Sequence, residues 1–323
     1  MKSLVLTHRR YLKLVDAPPG VPAPGEVVID VKYCALCRTD AKMWDVGHRD
    51  LRLPRILGHE IVGITHKTGE RVVIWPGQVC GFCEFCRSHR ENICPQMQIL
   101  GFSQDGGLAQ QVVVPESNLI PIPAGLSIEV AALAEPLACG LNALTKTSVG
   151  SGDTVLIFGA GPVGLLMALG VQERDAQPFL LEKDVDKLTL SKEFRTVTGI
   201  LAAATTDQSH WDVCINAAPS VTTFSEGVGL LKAGGRFCIF SGFPGTASVS
   251  EQILNHVHYR ELSVNGAYGC TRSHMQNALE ILLKHQQAVE LLIESIIPLS
   301  EVEQGFERIL AGKTMKILVD PLM

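Results

Sequence analysis

Four cysteines, Cys80, Cys83, Cys86 and Cys94, fall within fifteen residues in the stretch QVCGFCEFCRSHRENICPQ. The spacing C-x2-C-x2-C-x7-C lets four thiolates close a tetrahedron around a metal ion. Zinc is the first reading, and a four-thiolate iron–sulfur cluster is its rival. A shell closed by four sulfurs leaves no position for a substrate. The lobe at 78–96 is therefore read as structural, and chemistry is sought elsewhere.

A second group offers an open position. Cys37 in YCALCRTDAKMW, with His59 and Glu60 in LGHEIVG, supplies a thiolate, an imidazole and a carboxylate. These are the ligand types of a catalytic zinc, which needs three protein ligands and a vacancy. Glu135 in LAEPLACG sits within an apolar run, where a carboxylate is costly unless paired or bound to metal. Taken alone, a core thiol and an ordinary His-Glu pair account for these residues equally well.

A third group reads as a phosphate turn. VLIFGAGPVGLL places Gly159, Gly161 and Gly164 directly after an apolar strand and at the start of a helix. There the backbone can approach a pyrophosphate that the helix N-terminus favours. Glu182 closes the next strand, PFLLEKD, 18 residues past Gly164. An acid there accepts hydrogen bonds from the adenosine ribose and repels a 2′-phosphate, which favours NAD over NADP. Lys183 follows at once and weakens that preference.

The elements that must hold these groups fall into three regions. Residues 1–136 carry short β-type runs (SLVLT, EVVIDVKYC, EIVGIT, RVVIW, AQQVVVP) punctuated by Gly and Pro. Residues 137–266 alternate apolar strand and helix, which predicts a parallel sheet. Residues 267–323 read as two helices and a closing strand, MKILVDP. A chain of 323 residues is long for one core, so two domains are expected. Net charge is −5 with no run of Lys or Arg, which argues against a nucleic-acid partner. The N-terminus lacks the pattern of a signal peptide, and the apolar stretches are too short to span a membrane. A cytoplasmic chain with ten reduced cysteines is expected.

In order, CRTD, GHE, the cysteine lobe, EPL, GAGPVG, LLKAGGRF, GAYGCT and GKTMKILV resemble the zinc-containing medium-chain dehydrogenase/reductases, which include alcohol, polyol and threonine dehydrogenases. The resemblance implies an α/β fold: a Rossmann doubly wound parallel sheet, 137–266, inserted in a GroES-like, mostly β catalytic domain, 1–136 and 267–323. It implies a structural zinc on the four-cysteine lobe and a catalytic zinc on Cys37 and His59. Glu60 and Glu135 complete that shell, either acid being the direct ligand. Glu135 stands where polyol and threonine dehydrogenases carry an acid. Thr39 matches the hydroxyl that takes the substrate proton, and Asp40 the carboxylate that orients the zinc-bound histidine. Pro162, Val163, Ala217, Ser241 and Lys316 join the three glycines and Glu182 as cofactor-binding residues, Lys316 near the pyrophosphate.

The expected activity is hydride transfer between NAD and a secondary alcohol of polyol, aminopolyol or hydroxy-amino-acid type. An NADP-dependent carbonyl reductase or primary-alcohol dehydrogenase is the alternative among enzymes. A non-catalytic zinc- and dinucleotide-binding protein is the alternative of another class. A homodimer or homotetramer is expected, with ELSVNGAY as the pairing edge.

Two departures stand out. Many relatives place a histidine five residues after the zinc cysteine, where this chain has Lys42. A lysine there could relay a proton, bind an anionic substrate group or be solvated. The usual third strand of the dinucleotide half is not evident beyond a remnant, GILAA. Trp44, His48, Arg49 and Arg52 lie near the expected substrate mouth and read chiefly as loop residues.

Overall fold

A computed structural model gives the fold, describing all residues except 19, 244 and 247. The chain divides into two compact units. One is Met1–Glu135 with Thr271–Met323, and the other is Pro136–Cys270.

In the first unit the strand Glu26–Ala35 is the hub. Its Val- and Ile-rich sequence suits a pleated, half-buried surface. It pairs antiparallel with Glu60–Thr65, Gln111–Pro115 and Lys316–Asp320. The register sets Ala35 opposite Glu60 on one side and Leu318 on the other. Residues far apart in sequence thus meet where the hub ends. There the chain turns through Leu36, whose N–H donates to the Ile317 carbonyl at 2.9 Å, into the helix Arg38–Asp45.

That helix begins with a capping box. The Cys37 sulfur accepts from the Thr39 N–H, and the Asp40 side chain accepts from the Cys37 N–H. Its inner face, Ala41, Met43 and Trp44, joins a core that includes Leu6, Leu57 and Phe306. Trp44 is 1% exposed, its ring 5.9 Å from that of Phe306, so it belongs to the core and not to a substrate mouth.

The loop before His59 is held largely by backbone hydrogen bonds. Gly106 N–H donates to Ile56, Gly107 to Gly58 and Leu108 to Leu57, at 2.8 to 3.0 Å. A Cβ on Gly106 would stand 2.1 Å from the Gly58 carbonyl oxygen, so only glycine fits.

The second unit is a six-stranded, all-parallel sheet. Its strands run in the order Leu201–Ala203, Gln177–Leu181, Thr154–Phe158, Trp211–Asn216, Leu231–Ile239 and Ser263–Gly266. The central VLIF is buried on both faces, as the continuous apolar run requires. The strand that is faint in the sequence exists in three residues, pairing Phe179–Leu181 with Leu201–Ala203. Among the described residues, no helix is long and apolar enough to cross a membrane.

Gly106→Ala is expected to shift backbone beneath His59 and to cost about 1–3 kcal/mol, as overpacking does. Thermal unfolding followed by circular dichroism should show a midpoint several degrees lower. An unchanged midpoint would mean that this loop yields freely.

Candidate functional site

The four-cysteine lobe passes a geometric test for a tetrahedral metal. Sulfur–sulfur separations are 3.9 Å for Cys80–Cys86, 3.5 Å for Cys83–Cys86, 3.9 Å for Cys83–Cys94 and 3.6 Å for Cys80–Cys94. A zinc ion with bonds of about 2.3 Å to sulfur demands edges of about 3.8 Å. The Cys83 sulfur also caps the helix Glu84–Arg87, accepting from Cys86 N–H at 3.5 Å. The backbone N–H of Phe82 draws Cys80 down to about 6, while burial and its neighbours push Cys86 up to about 12. One thiol ionises readily, and a bound cation would draw off the remaining protons.

In the second group, ligand atoms of Cys37, His59 and Glu60 all lie within 4.8 Å of one another. Asp40, 0% exposed, ties Cys37 and His59 together. It accepts from His59 Nδ1 at 3.1 Å, from Gly58 N–H at 3.2 Å and from Cys37 N–H at 3.2 Å. A proton held on Nδ1 leaves the Nε2 lone pair for a metal. Burial opposes charge on His59, yet Asp40 and Cys37 hold its pKa well above the usual histidine range. The pocket thus favours positive charge beside the thiol, which a metal cation would supply.

Glu60 is also 0% exposed. Burial pushes it up to about 7, against the pull of Lys316 and with the push of Glu135. Lys316 Nζ donates to Oε1 at 2.7 Å and sits 2.5 Å from Oε2, which is left without a well-directed hydrogen bond. The same ammonium donates to the Leu36 carbonyl at 3.2 Å. Lys316 was expected to serve a pyrophosphate; here its charge is committed to Glu60. Glu135, 9% exposed at the start of the helix Ala134–Lys146, stands outside the trio but close enough for its charge to act on Glu60. Thr39 is half-buried, and its hydroxyl has no hydrogen-bond partner among the described residues.

Phe102 was not singled out in the sequence. Its ring meets that of His59 at 5.3 Å and that of His48 at 5.4 Å, walling the site with an apolar surface. Nothing in GFSQDGG marks this role.

The phosphate turn is built as the glycines require. Gly159 adopts φ +116°, and a Cβ on Gly164 would stand 2.1 Å from the Gly159 oxygen. Gly161 caps the helix Pro162–Gln172, with Pro162 in its first turn and Val163 following. Glu182 accepts from Ala160 N–H at 3.0 Å and from Asp184 N–H at 2.9 Å. Lys183 is turned to Glu226 at 2.9 Å. Ala217 follows the strand Trp211–Asn216, and Ser241 N–H donates to Asn216 at 3.0 Å, so both lie at the same end of the sheet as the turn.

Residues 23–124 match the alcohol dehydrogenase GroES-like domain family. The whole chain is 28% identical to a sorbitol dehydrogenase of Halalkalibacterium halodurans, covering 100% of both. It is 28% identical to a probable D-xylulose reductase A of Aspergillus clavatus, over 98% of this chain and 96% of that one. Among solved structures it is similar to a zinc-binding dehydrogenase from Sinorhizobium meliloti bound to NADP, with TM-score 0.88, 27% identity and 99% of each chain covered.

Asp40→Asn is expected to weaken metal binding at the Cys37 site about 10–100-fold, the usual cost of losing such a support. Titration with a chelator should strip one metal from the variant at concentrations the parent tolerates, while the four-cysteine lobe keeps its own. Equal retention in both proteins would show that Asp40 does not support the site.

Proposed function

This chain belongs to the zinc-containing medium-chain dehydrogenase/reductases, and we propose that it moves a hydride between NAD and a secondary alcohol of polyol, aminopolyol or hydroxy-amino-acid type. The observation that carries this reading is the convergence of Cys37, His59 and Glu60, the first two tied by Asp40 and the third by Lys316. Two relatives aligned along nearly their whole length are named for polyol or ketose chemistry.

The chemistry such groups supply when bound is Lewis-acid polarisation of the substrate oxygen by zinc and acceptance of a hydride by the nicotinamide. The chain's own residues do the rest. Cys37 and His59 would hold the ion, and the Asp40 carboxylate would keep the imidazole in the tautomer that can do so. Thr39, whose hydroxyl has no partner among the described residues, receives the proton of the substrate hydroxyl and passes its own onward. Glu60, poised near neutrality, can hold or release a proton while Lys316 keeps it in place. Phe102 keeps water from one side of the site.

Two zinc ions per chain are proposed, one on the four thiols and one at Cys37. The cofactor is proposed to be NAD because Glu182 presents a carboxylate at the end of the second strand, and Lys183 is engaged elsewhere. The Sinorhizobium relative was solved with NADP, which makes the choice of cofactor worth measuring directly. Self-association is proposed through Ser263–Gly266, the outermost strand, whose Val264 is 42% exposed.

A panel of polyols, amino-alcohols and hydroxy-amino acids, assayed by absorbance of the reduced cofactor with NAD and with NADP, tests this. Turnover is expected with at least one secondary alcohol, faster with NAD. Cys37→Ser should lower kcat/KM by roughly a hundredfold or more, since the polarising ion contributes several kcal/mol. A variant as active as the parent would overturn the assignment, and preference for NADP would overturn the role of Glu182.

A further inference from the structure

Four cysteines lie in the second unit, and two of them are placed unlike the others. Cys214 and Cys238 sit on neighbouring sheet strands at 0% exposure. Burial pushes the Cys238 thiol up to about 12 and raises that of Cys214 as well. Thiols held in this way stay protonated, and the reacting form of a cysteine is the thiolate. Cys139, by contrast, is half-buried on the helix Ala134–Lys146, and Cys270, 4% exposed, is the last residue of the unit. Their sulfurs lie within 4.8 Å of one another, although they come from opposite ends of the unit's sequence. Both are reduced in this structure.

The backbone on either side of this pair is fixed. Asn142, one turn beyond Cys139 on the same helix face, is 1% exposed. Its Nδ2 donates to the Gly269 carbonyl at 2.9 Å and to the Tyr268 carbonyl at 3.4 Å. The residue before Cys270 is thereby anchored to the turn that follows Cys139. Rotation of the two side chains about their Cα–Cβ bonds is the movement that would bring the sulfurs to about 2.05 Å. Cys139 is the sulfur that an oxidant in solvent can reach, and Cys270 lies buried behind it.

We propose that Cys139 and Cys270 form a redox modification site, which a hydroperoxide joins into a reversible disulfide. The Cys139 thiolate attacks one peroxide oxygen, so an S–O bond forms, the O–O bond breaks and hydroxide leaves. The Cys270 sulfur then displaces that oxygen, so an S–S bond forms, the S–O bond breaks and a second water leaves. Two thiols are oxidised, one peroxide is reduced to two waters, and the thiol protons end on those waters. The bond closes a ring that runs from the fourth residue of the second unit to its last. Closure of so long a ring restrains the unfolded chain strongly. The inference concerns the second unit alone and stands apart from the hydride-transfer reading.

Peptide mapping of the zinc-loaded full chain after treatment with hydrogen peroxide tests this. Trypsin with a glutamate-specific protease parts Cys139 from Cys94, since Glu116 and Glu129 lie between them. A cross-linked peptide pair holding Cys139 and Cys270, lighter by two hydrogens than its reduced parts, is expected. Dithiothreitol should restore both thiols. The oxidised chain should unfold several degrees above the reduced one in differential scanning fluorimetry. Cys139→Ala and Cys270→Ala should each remove the difference between oxidised and reduced forms, a comparison made within each variant. Cys139 found as a sulfinic acid with Cys270 unmodified would overturn the proposal, and so would Cys139 linked to any other cysteine. A metal ion held by the two sulfurs in the zinc-loaded chain, keeping the bridge from forming, would also overturn it. Equal midpoints for the cross-linked and reduced chains would overturn the ring closure.

Discussion

Three carboxylates, Asp40, Glu60 and Glu135, are buried in the first unit, with Lys316 as the buried ammonium beside them. These three acids outnumber that ammonium, so the pocket holds more negative charge than Lys316 alone balances. Buried charge is tolerated when it is paired or bound to metal, and otherwise costs several kcal/mol per group. This imbalance is the constraint around which the unit is organised. It explains why burial pushes Glu60 up to about 7 and why His59, against burial, is held toward its charged form. A divalent cation among these groups would settle the account.

The architecture meets that constraint through strand register. Ala35 faces Glu60 on one side and Leu318 on the other, so the hub strand delivers the ligand-bearing turn, the acid and the Lys316 strand to one end. Asp40 then binds the turn to the His59 loop with three accepted hydrogen bonds. Glycine at 106 lets that loop lie against the neighbouring backbone. The four-cysteine lobe follows the opposite principle. Its ligands come from one short segment and form a closed shell of sulfurs, which suits support and not catalysis.

What was legible in the sequence follows the range of each interaction. The cysteine lobe and the glycine turn are local, so spacing alone exposes them. Cys37 and His59 are 22 residues apart, and only the ordered set of motifs joined them before the fold was known. Lys316 lies 256 residues from Glu60. No periodicity can report that buried ion pair. Phe102 was invisible for a related reason, since an aromatic ring in a glycine-rich loop has no signature until its neighbours are known. Trp44 read chiefly as a loop residue near the mouth because its helix face cannot be judged without the core it joins. The short strand Leu201–Ala203 was faint because three residues carry too little pattern to stand out.

The most direct test is anomalous diffraction at the zinc edge from crystals grown with zinc and NADH. Two peaks per chain are expected. One should lie among the sulfurs of Cys80, Cys83, Cys86 and Cys94, and the other should touch Cys37 and His59 with at least one ligand that is not protein. No peak at Cys37, or an ion there enclosed wholly by protein groups, would contradict the reading of this pocket as an open metal site.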